Sequence, residues 1–248
     1  MQHAARHPAR HTVGFLYPGY SAEDDYPRLE ALLREAGADV SLPLVHTDIG
    51  EDAHRVDALL EMGSAPRLAD GMTALAGRGA HAVVWSCTSA SFVFGWEGAH
   101  EQVRALSAVA GLPASSTSFA FAHAVRALGV GRVAVAATYP TDVAEHFGAF
   151  LKAAGIEVVS LRGSGIITAA EVGTWGRAEV LAMATAGDHD AAEAVLLPDT
   201  ALHSADHLTE LEAALGKPVL TANQVTVWEG LRLAEVAVRA ERLGALFR

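Results

Sequence analysis

The sequence predicts an α/β protein of two pseudo-twofold-related halves, each a parallel sheet flanked by helices, with the active site in the cleft between them. Three observations predict it. Short apolar runs alternate with longer runs of helical spacing along the chain, the pattern of parallel strands joined by covering helices. Glycine follows most helical runs at the position where helices end. Two pairs of segments also repeat: GLPASSTSFAFAHAVRALG (111–129) parallels GKPVLTANQVTVWEGLRLA (216–234), and AVVWSCTSA (82–90) parallels AVLLPDTAL (194–202).

The elements follow in order. TVGFLYP (12–18) reads as a buried strand that stops at Pro-Gly. YPRLEALLREAG (26–37) places Leu29, Leu32 and Leu33 on one helical face before a glycine. ADVSLPLVH (38–46) is a second strand, APRLADGMTALAGRG (65–79) a helix, and HAVVWSC (81–87) a third strand. Residues 97–110 form a helix, GLPASST (111–117) is strand-like, and SFAFAHAVRALG (118–129) is helical. The pattern restarts with strand GRVAVAATYP (131–140), helix 142–155 and strand IEVVSLRG (156–163). A helix over 168–187, strand AEAVLLPD (192–199), helix 207–216, strand KPVLTAN (217–223) and a helix from 224 complete it. The expected division is 12–118 plus a C-terminal helix 224–248 as the first half, carrying Cys87, and 119–223 as the second, carrying Asp199.

Composition narrows the function. The formal net charge is −11 with no Lys/Arg-rich run, which argues against nucleic acid or an anionic membrane as partner. One cysteine excludes an intrachain disulfide and a multi-cysteine zinc site and fits a reducing, cytoplasmic compartment. No apolar run reaches the ~18–20 residues of a spanning helix. MQHAARHPARH lacks the apolar core of a signal peptide; it reads as a frayed terminus whose His3, His7 and His11 are solvated.

Ligands of open parallel sheets bind beyond the carboxyl ends of the strands. Cys87-Thr88 and Asp199-Thr200 each follow an apolar strand, so the two pairs face each other across one cleft. The plain alternative for Cys87 is a small buried hydrophobe; its placement before Thr-Ser favours a reactive thiol. Thr88 and Ser89 add hydroxyl donors to the amides of a following helix, an anion-binding arrangement, against ordinary capping. Asp199 reads either as an N-cap or as an acid or base opposite Cys87, and Thr200 as a second anion-binding hydroxyl. Asn223, at the end of the last strand, reads either as orienting a ligand or as a cap of the last helix, with the cap preferred. His203 and His207, four apart, share a helix face one turn from Asp199, but no third metal ligand is evident. No GxGxxG follows the first strand, so a dinucleotide site is unsupported.

CTSASFVFG, ATYPTDVAEHFGAFL and LPDTALHSADHLTELEAALGKPVLTANQVTVWEGLR, in that order and spacing, resemble the aspartate/glutamate racemase superfamily, and within it the maleate cis–trans isomerase and arylmalonate decarboxylase branch. The resemblance covers nearly the whole chain. It implies two Rossmann-like halves, no cofactor and no metal, and a small mono- or dicarboxylate substrate held between the halves. It also implies a cysteine from each half. Cys87 matches the first; Asp199 stands where the second belongs. Tyr139 matches a tyrosine that binds a substrate carboxylate, whereas Tyr17 and Pro18 fall where many isomerases carry asparagine. By analogy, a homo-oligomer is one option. The expected function is a cofactor-independent, maleate isomerase-like enzyme. Cys87 adds to the double bond, Thr88, Ser89, Tyr139 and Thr200 hold carboxylate, and Asp199 moves the proton. The alternatives are an arylmalonate-type decarboxylase with Cys87 as proton donor, an amino-acid racemase-like enzyme, and a non-catalytic carboxylate-binding protein.

Overall fold

The structure is a computed structural model that describes residues 11–248. His3 and His7 lie outside the described residues, and His11 opens the first strand.

The first part of the chain runs β1 (His11–Pro18), α1 (Asp25–Glu35), β2 (Val40–Ser41), β3 (Leu44–Thr47), α2 (Val56–Met62), α3 (Ala65–Leu75), β4 (Ala82–Trp85), α4 (Ser89–Phe92), α5 (Gly95–Ala110), β5 (Ala114–Ser116) and α6 (Thr117–Ala127). The second runs β6 (Arg132–Ala137), α7 (Thr141–Ala153), β7 (Glu157–Gly163), α8 (Ala169–Val172), α9 (Arg177–Gly187), β8 (Ala194–Leu197), α10 (Leu208–Leu215), β9 (Val219–Thr221) and α11 (Ala222–Leu233). Every strand pairing is parallel. The sheets have the same order, β2-β1-β4-β5, with β3 also on β1, and β7-β6-β8-β9. The internal repeat of the sequence is thus a repeat of topology. The shared glycine stops match as well: Gly111 and Gly216 both adopt left-handed φ (62° and 66°) after α5 and α10.

Burial explains why the strands are apolar throughout. β4 and β8 are buried at all four positions, as strands covered on both faces must be. α11 follows β9 of the second sheet but packs on the first: a Cβ on Gly230 would stand 2.4 Å from Val13 and 3.3 Å from Val84, so only glycine permits the approach. α6 leans the other way, with Phe121 edge-on to Phe147 of α7 at 5.4 Å. The helices that end the two repeats pack against each other, joined by Thr117 and Thr226 at 2.7 Å and by His123 on the buried Glu229 at 2.9 Å.

Several expected elements differ. Segment 38–46 is two strands rather than one, because Leu42-Pro43 interrupts it and proline cannot donate to a ladder. The helix expected over 168–187 is two, α8 and α9, separated by Gly173–Gly176. The C-terminal helix does not run to 248. α11 ends at Leu233, and the rest is irregular with 3-10 turns at Glu241–Leu243 and Ala245–Phe247, docked by Glu212 accepting from Ala245 N (2.7 Å) and Arg248 (2.6 Å). Among the described residues no helix is long and apolar enough to cross a membrane.

Candidate active site

Three strand ends line one cavity, and a fourth stands behind Asp199. Tyr17 and Pro18 end β1, Cys87 follows β4, Thr138 follows β6 and Asp199 follows β8. In parallel sheets these are all carboxyl ends, so the two like-ordered sheets present one end each to a shared space.

After β4 the chain turns through Ser86, whose N–H donates to Leu16 O at 2.8 Å, and Cys87 enters the short helix α4. Cys87 is 3% exposed. Its Sγ accepts from Ala90 N at 3.4 Å and lies 3.7 Å from Ser89 Oγ and 4.0 Å from Met62 Sδ. Burial pushes the thiol up to about 11; the Asp199 charge adds to this, and the Ala90 amide and Ser89 hydroxyl oppose it. The sulfur is therefore a neutral thiol near neutral pH. The turn is fixed from behind: Ser91 Oγ donates to Cys87 O (3.0 Å) and Ser118 Oγ to Thr88 O (2.9 Å). Thr88 Oγ1 is buried and makes no hydrogen bond among the described residues.

Across the cavity, Asp199 is 4% exposed. Thr138 Oγ1 donates to its Oδ2, and Ala201 N donates to its Oδ1 at 2.9 Å. Both oxygens accept. Asp199 is not a helix cap: the nearest helical turn begins only at Ala205. It closes a local turn instead. Tyr139 is buried, its hydroxyl donating to Pro198 O at 2.6 Å. Burial pushes its own ionisation far up, as do the charges of Asp199 and Cys87; the Thr88 and Ser89 hydroxyls, close by but outside hydrogen-bond geometry for Thr88, ease it.

The cavity brings together Cys87, Ser89, Asp199 and Thr200 from the sequence candidates. Thr88 and Tyr139 stand directly behind this wall, fully buried. Pro18, Ile49, Leu59 and Met62 form an apolar wall. The free space is about 20 Å³, room for one water. A cover closes it: Asp52 accepts from Ala169 N (2.7 Å) and Ala170 N (3.0 Å), and His54 meets Ile167 O through its N–H (2.8 Å) and Ile166 O through Nδ1 (2.9 Å). A roomier groove of about 250 Å³ between α3 and α5 has Glu101 as its single ionisable side chain. The thiol and the carboxylate line the smaller space.

Sequence reasoning missed Thr138, Asp52 and His54. Thr138 was one residue from a marked tyrosine, but its partner is 61 positions away. Asn223 was expected to cap α11. Thr221 does so with Gln224, whose Oε1 accepts from Thr221 N, and Asn223 turns inward instead. His203 and His207 do not share an α-helical face, because residues 205–207 form a 3-10 turn. Both His203 nitrogens are engaged, with Asp24 at 3.0 Å and Gly173 O at 3.1 Å. Among the described residues no group of three or more His, Cys, Asp or Glu is arranged to hold a metal.

Fold and site together define a two-sheet α/β protein with a thiol and a carboxylate lining one small cavity at the strand ends. The arylmalonate decarboxylase family matches residues 63–247, and the arylmalonate decarboxylase of Bordetella bronchiseptica is 32% identical over 168 residues, 66% of this chain and 69% of that protein. The chain belongs to the arylmalonate decarboxylase family. A crystal structure of a liganded arylmalonate decarboxylase, in which one glycine is replaced by cysteine and one cysteine by serine, superposes with a TM-score of 0.80 at 26% identity, covering 96% of this chain and 98% of that one. The maleate isomerase Iso of Pseudomonas putida S16, with maleate, shares the fold with a TM-score of 0.87 at 21% identity over 96% and 97% of the two chains. A Nocardia farcinica maleate cis–trans isomerase mutant, with one cysteine replaced by serine and a covalently bound succinylcysteine intermediate, shares the fold with a TM-score of 0.86 at 22% identity, over 96% and 98% of the two chains.

Proposed function

We propose that the protein decarboxylates a substituted malonate without a cofactor, with Cys87 as proton donor. The observation that carries this reading is the placement of Cys87, 3% exposed in a small cavity that it shares with Asp199; burial first and the Asp199 charge second push the thiol up and favour its neutral form. A neutral thiol gives a proton; addition to a double bond needs the thiolate. Family membership supports the same choice.

One substrate carboxylate is retained by the hydroxyls of Ser89 and Thr200, which line the cavity; Thr88 and Tyr139, expected to join them, stand behind the wall, with the Tyr139 hydroxyl given to Pro198 O. The other lies toward Pro18, Ile49, Leu59 and Met62, where an ion is poorly solvated. The bond from its carbon to the central carbon breaks, CO2 departs, and the electron pair passes into an enediolate on the retained carboxylate. Donors aimed at that oxygen charge stabilise it. The Cys87 S–H then protonates the central carbon from one face, and the thiolate recovers a proton from water. Asp199 keeps the thiol protonated until the carbanion forms. Entry requires Asp52 and His54 to part from residues 166–170, since a malonate far exceeds the volume of one water.

A second reading, isomerisation of an unsaturated dicarboxylate through addition of Cys87, is favoured by one specific contact. The Ala90 amide donates to Sγ, as it would to a thiolate, and a succinylcysteine is the intermediate of the Nocardia farcinica neighbour. Incubation with aryl- and alkylmalonates and with maleate in D2O, followed by proton NMR, separates the two. Deuterated monocarboxylate is expected, reduced at least about 100-fold in Cys87→Ala, the scale of a lost acid catalyst. Fumarate from maleate without CO2 loss supports the second reading, and full turnover by Cys87→Ala refutes both.

A further inference from the structure

The carboxylate opposite Cys87 is held by a peptide that is itself held from the other sheet. Ala201 N–H donates to Asp199 Oδ1 at 2.9 Å. The carbonyl of that same Thr200–Ala201 peptide accepts from Tyr17 OH at 2.9 Å and from Asn223 Nδ2 at 3.1 Å. A peptide is planar, so fixing its oxygen aims its N–H.

The Asn223 amide also donates to Asp25 Oδ2 at 3.1 Å. Asp25 is fully buried in the first turn of α1, beside the first sheet. The same oxygen collects Ser204 N (2.9 Å), Ser204 Oγ (3.3 Å) and Ala205 N (3.2 Å). Asp25 Oδ1 and Asn223 Oδ1 are buried with no hydrogen bond among the described residues. A buried acid with an orphaned oxygen opposes stability, and an apolar pair would fill this space at lower cost. A local rule broken in this way marks a functional constraint.

We infer that Asp25 is a positioning residue: through Asn223 and the Thr200–Ala201 peptide it sets the Asp199 carboxylate against Cys87. The inference rests on the proposal that Asp199 faces Cys87 in a working site. It makes the orientation of a group in one sheet's loop depend on a helix of the other.

The test reads the thiol rather than turnover. Cys87 is the single cysteine, so alkylation by iodoacetamide reports it alone, and the midpoint of rate against pH reports the charge it faces. Opening of the cover multiplies the rate at every pH and leaves the midpoint in place. The titratable groups facing the thiol are Asp199, Tyr139 and Tyr26, and Tyr17, Asp52 and His54 line the same cavity; the variants leave Asp52 and His54 in place, so their contribution is common to every profile. Asp199→Asn is expected to lower the midpoint. Asn223→Ala and Asp25→Asn are expected to lower it by a smaller amount, with Tyr17→Phe, which removes the other donor to Thr200 O, as a further variant if either fails to fold. Ser204→Ala loses contacts to Asp25 and Thr221 but spares the Thr200–Ala201 peptide; it is expected to keep the wild-type midpoint. Unchanged midpoints in folded Asn223→Ala and Asp25→Asn, with Asp199→Asn shifted, overturn the positioning role. An unchanged midpoint in Asp199→Asn overturns the facing pair on which it rests.

Discussion

Raising the pH is the perturbation that separates a thiol acting as acid from a thiolate acting as nucleophile. Cys87 is pushed up to about 11, first by burial and then by Asp199, against the donors Ala90 N and Ser89 Oγ. With that value, about one sulfur in a thousand is ionised at pH 8 and about one in ten at pH 10. A proton-donating Cys87 therefore gives a decarboxylation rate that is nearly flat from pH 7 to 10 and falls as the pH passes 11. A nucleophilic Cys87 gives a rate that climbs about tenfold per pH unit over the same range. Asp199→Asn removes the charge that helps keep the thiol protonated, so it is expected to bring the alkaline fall to lower pH. The assay is the initial rate of monocarboxylate formation from an arylmalonate, measured by proton NMR between pH 6.5 and 10.5. A tenfold rise per unit, or a fall already centred near pH 8, would refute the assignment of Cys87 as a buried neutral acid.

Two further predictions concern the frame. Glu229 is fully buried between His123 and Arg232; burial alone would raise its pKa, but the Arg232 and His123 hydrogen bonds outweigh it and bring it to about 2. Because the folded value is depressed, its contribution is present above the ordinary carboxylate range and is lost as pH falls through about 2. Glu229→Ala should cost about 1.5–3 kcal/mol in urea unfolding at pH 7, the scale of lost hydrogen bonds to a charged group whose partners stay partly exposed, and should flatten the acid side of the stability curve; a cost below about 1 kcal/mol counts against the clamp between α6 and α11. Gly230→Ala puts a methyl 2.4 Å from Val13 and should destabilise by about 1–3 kcal/mol through overpacking, seen as a lowered Tm, with an unchanged Tm contradicting the close seating of α11 on the first sheet.

Much of the fold was legible because its signals are local. The parallel strands are buried on both faces, so they read as apolar runs, and glycine stops such as Gly111 and Gly216 mark helix ends through backbone sterics alone. The repeat of AVVWSCTSA in AVLLPDTAL located both strand ends that meet in the cavity. α2 and α4, at seven and four residues, are too short to repeat a helical face several times and left no pattern. Asn223 was misread because a residue at a helix start caps by default, and nothing nearby in sequence reveals a buried acid 198 positions away.

The sequence by itself determined the alternation of strands and helices, the twofold repetition, and the presence of a thiol and a carboxylate at equivalent strand ends. These follow from period, steric punctuation and residue chemistry, all readable within a dozen residues. Only the tertiary structure decided that α11 lies on the first sheet, that Thr138 and Ala201 hold Asp199, that Asp52 and His54 close the cavity, and that Asp25 reaches the Asp199 turn from α1. Each of these depends on sheet order and burial. Burial also sets how far the Cys87 thiol is raised, because desolvation by the packed site, with the Asp199 charge beside it, lifts it above the ordinary cysteine value.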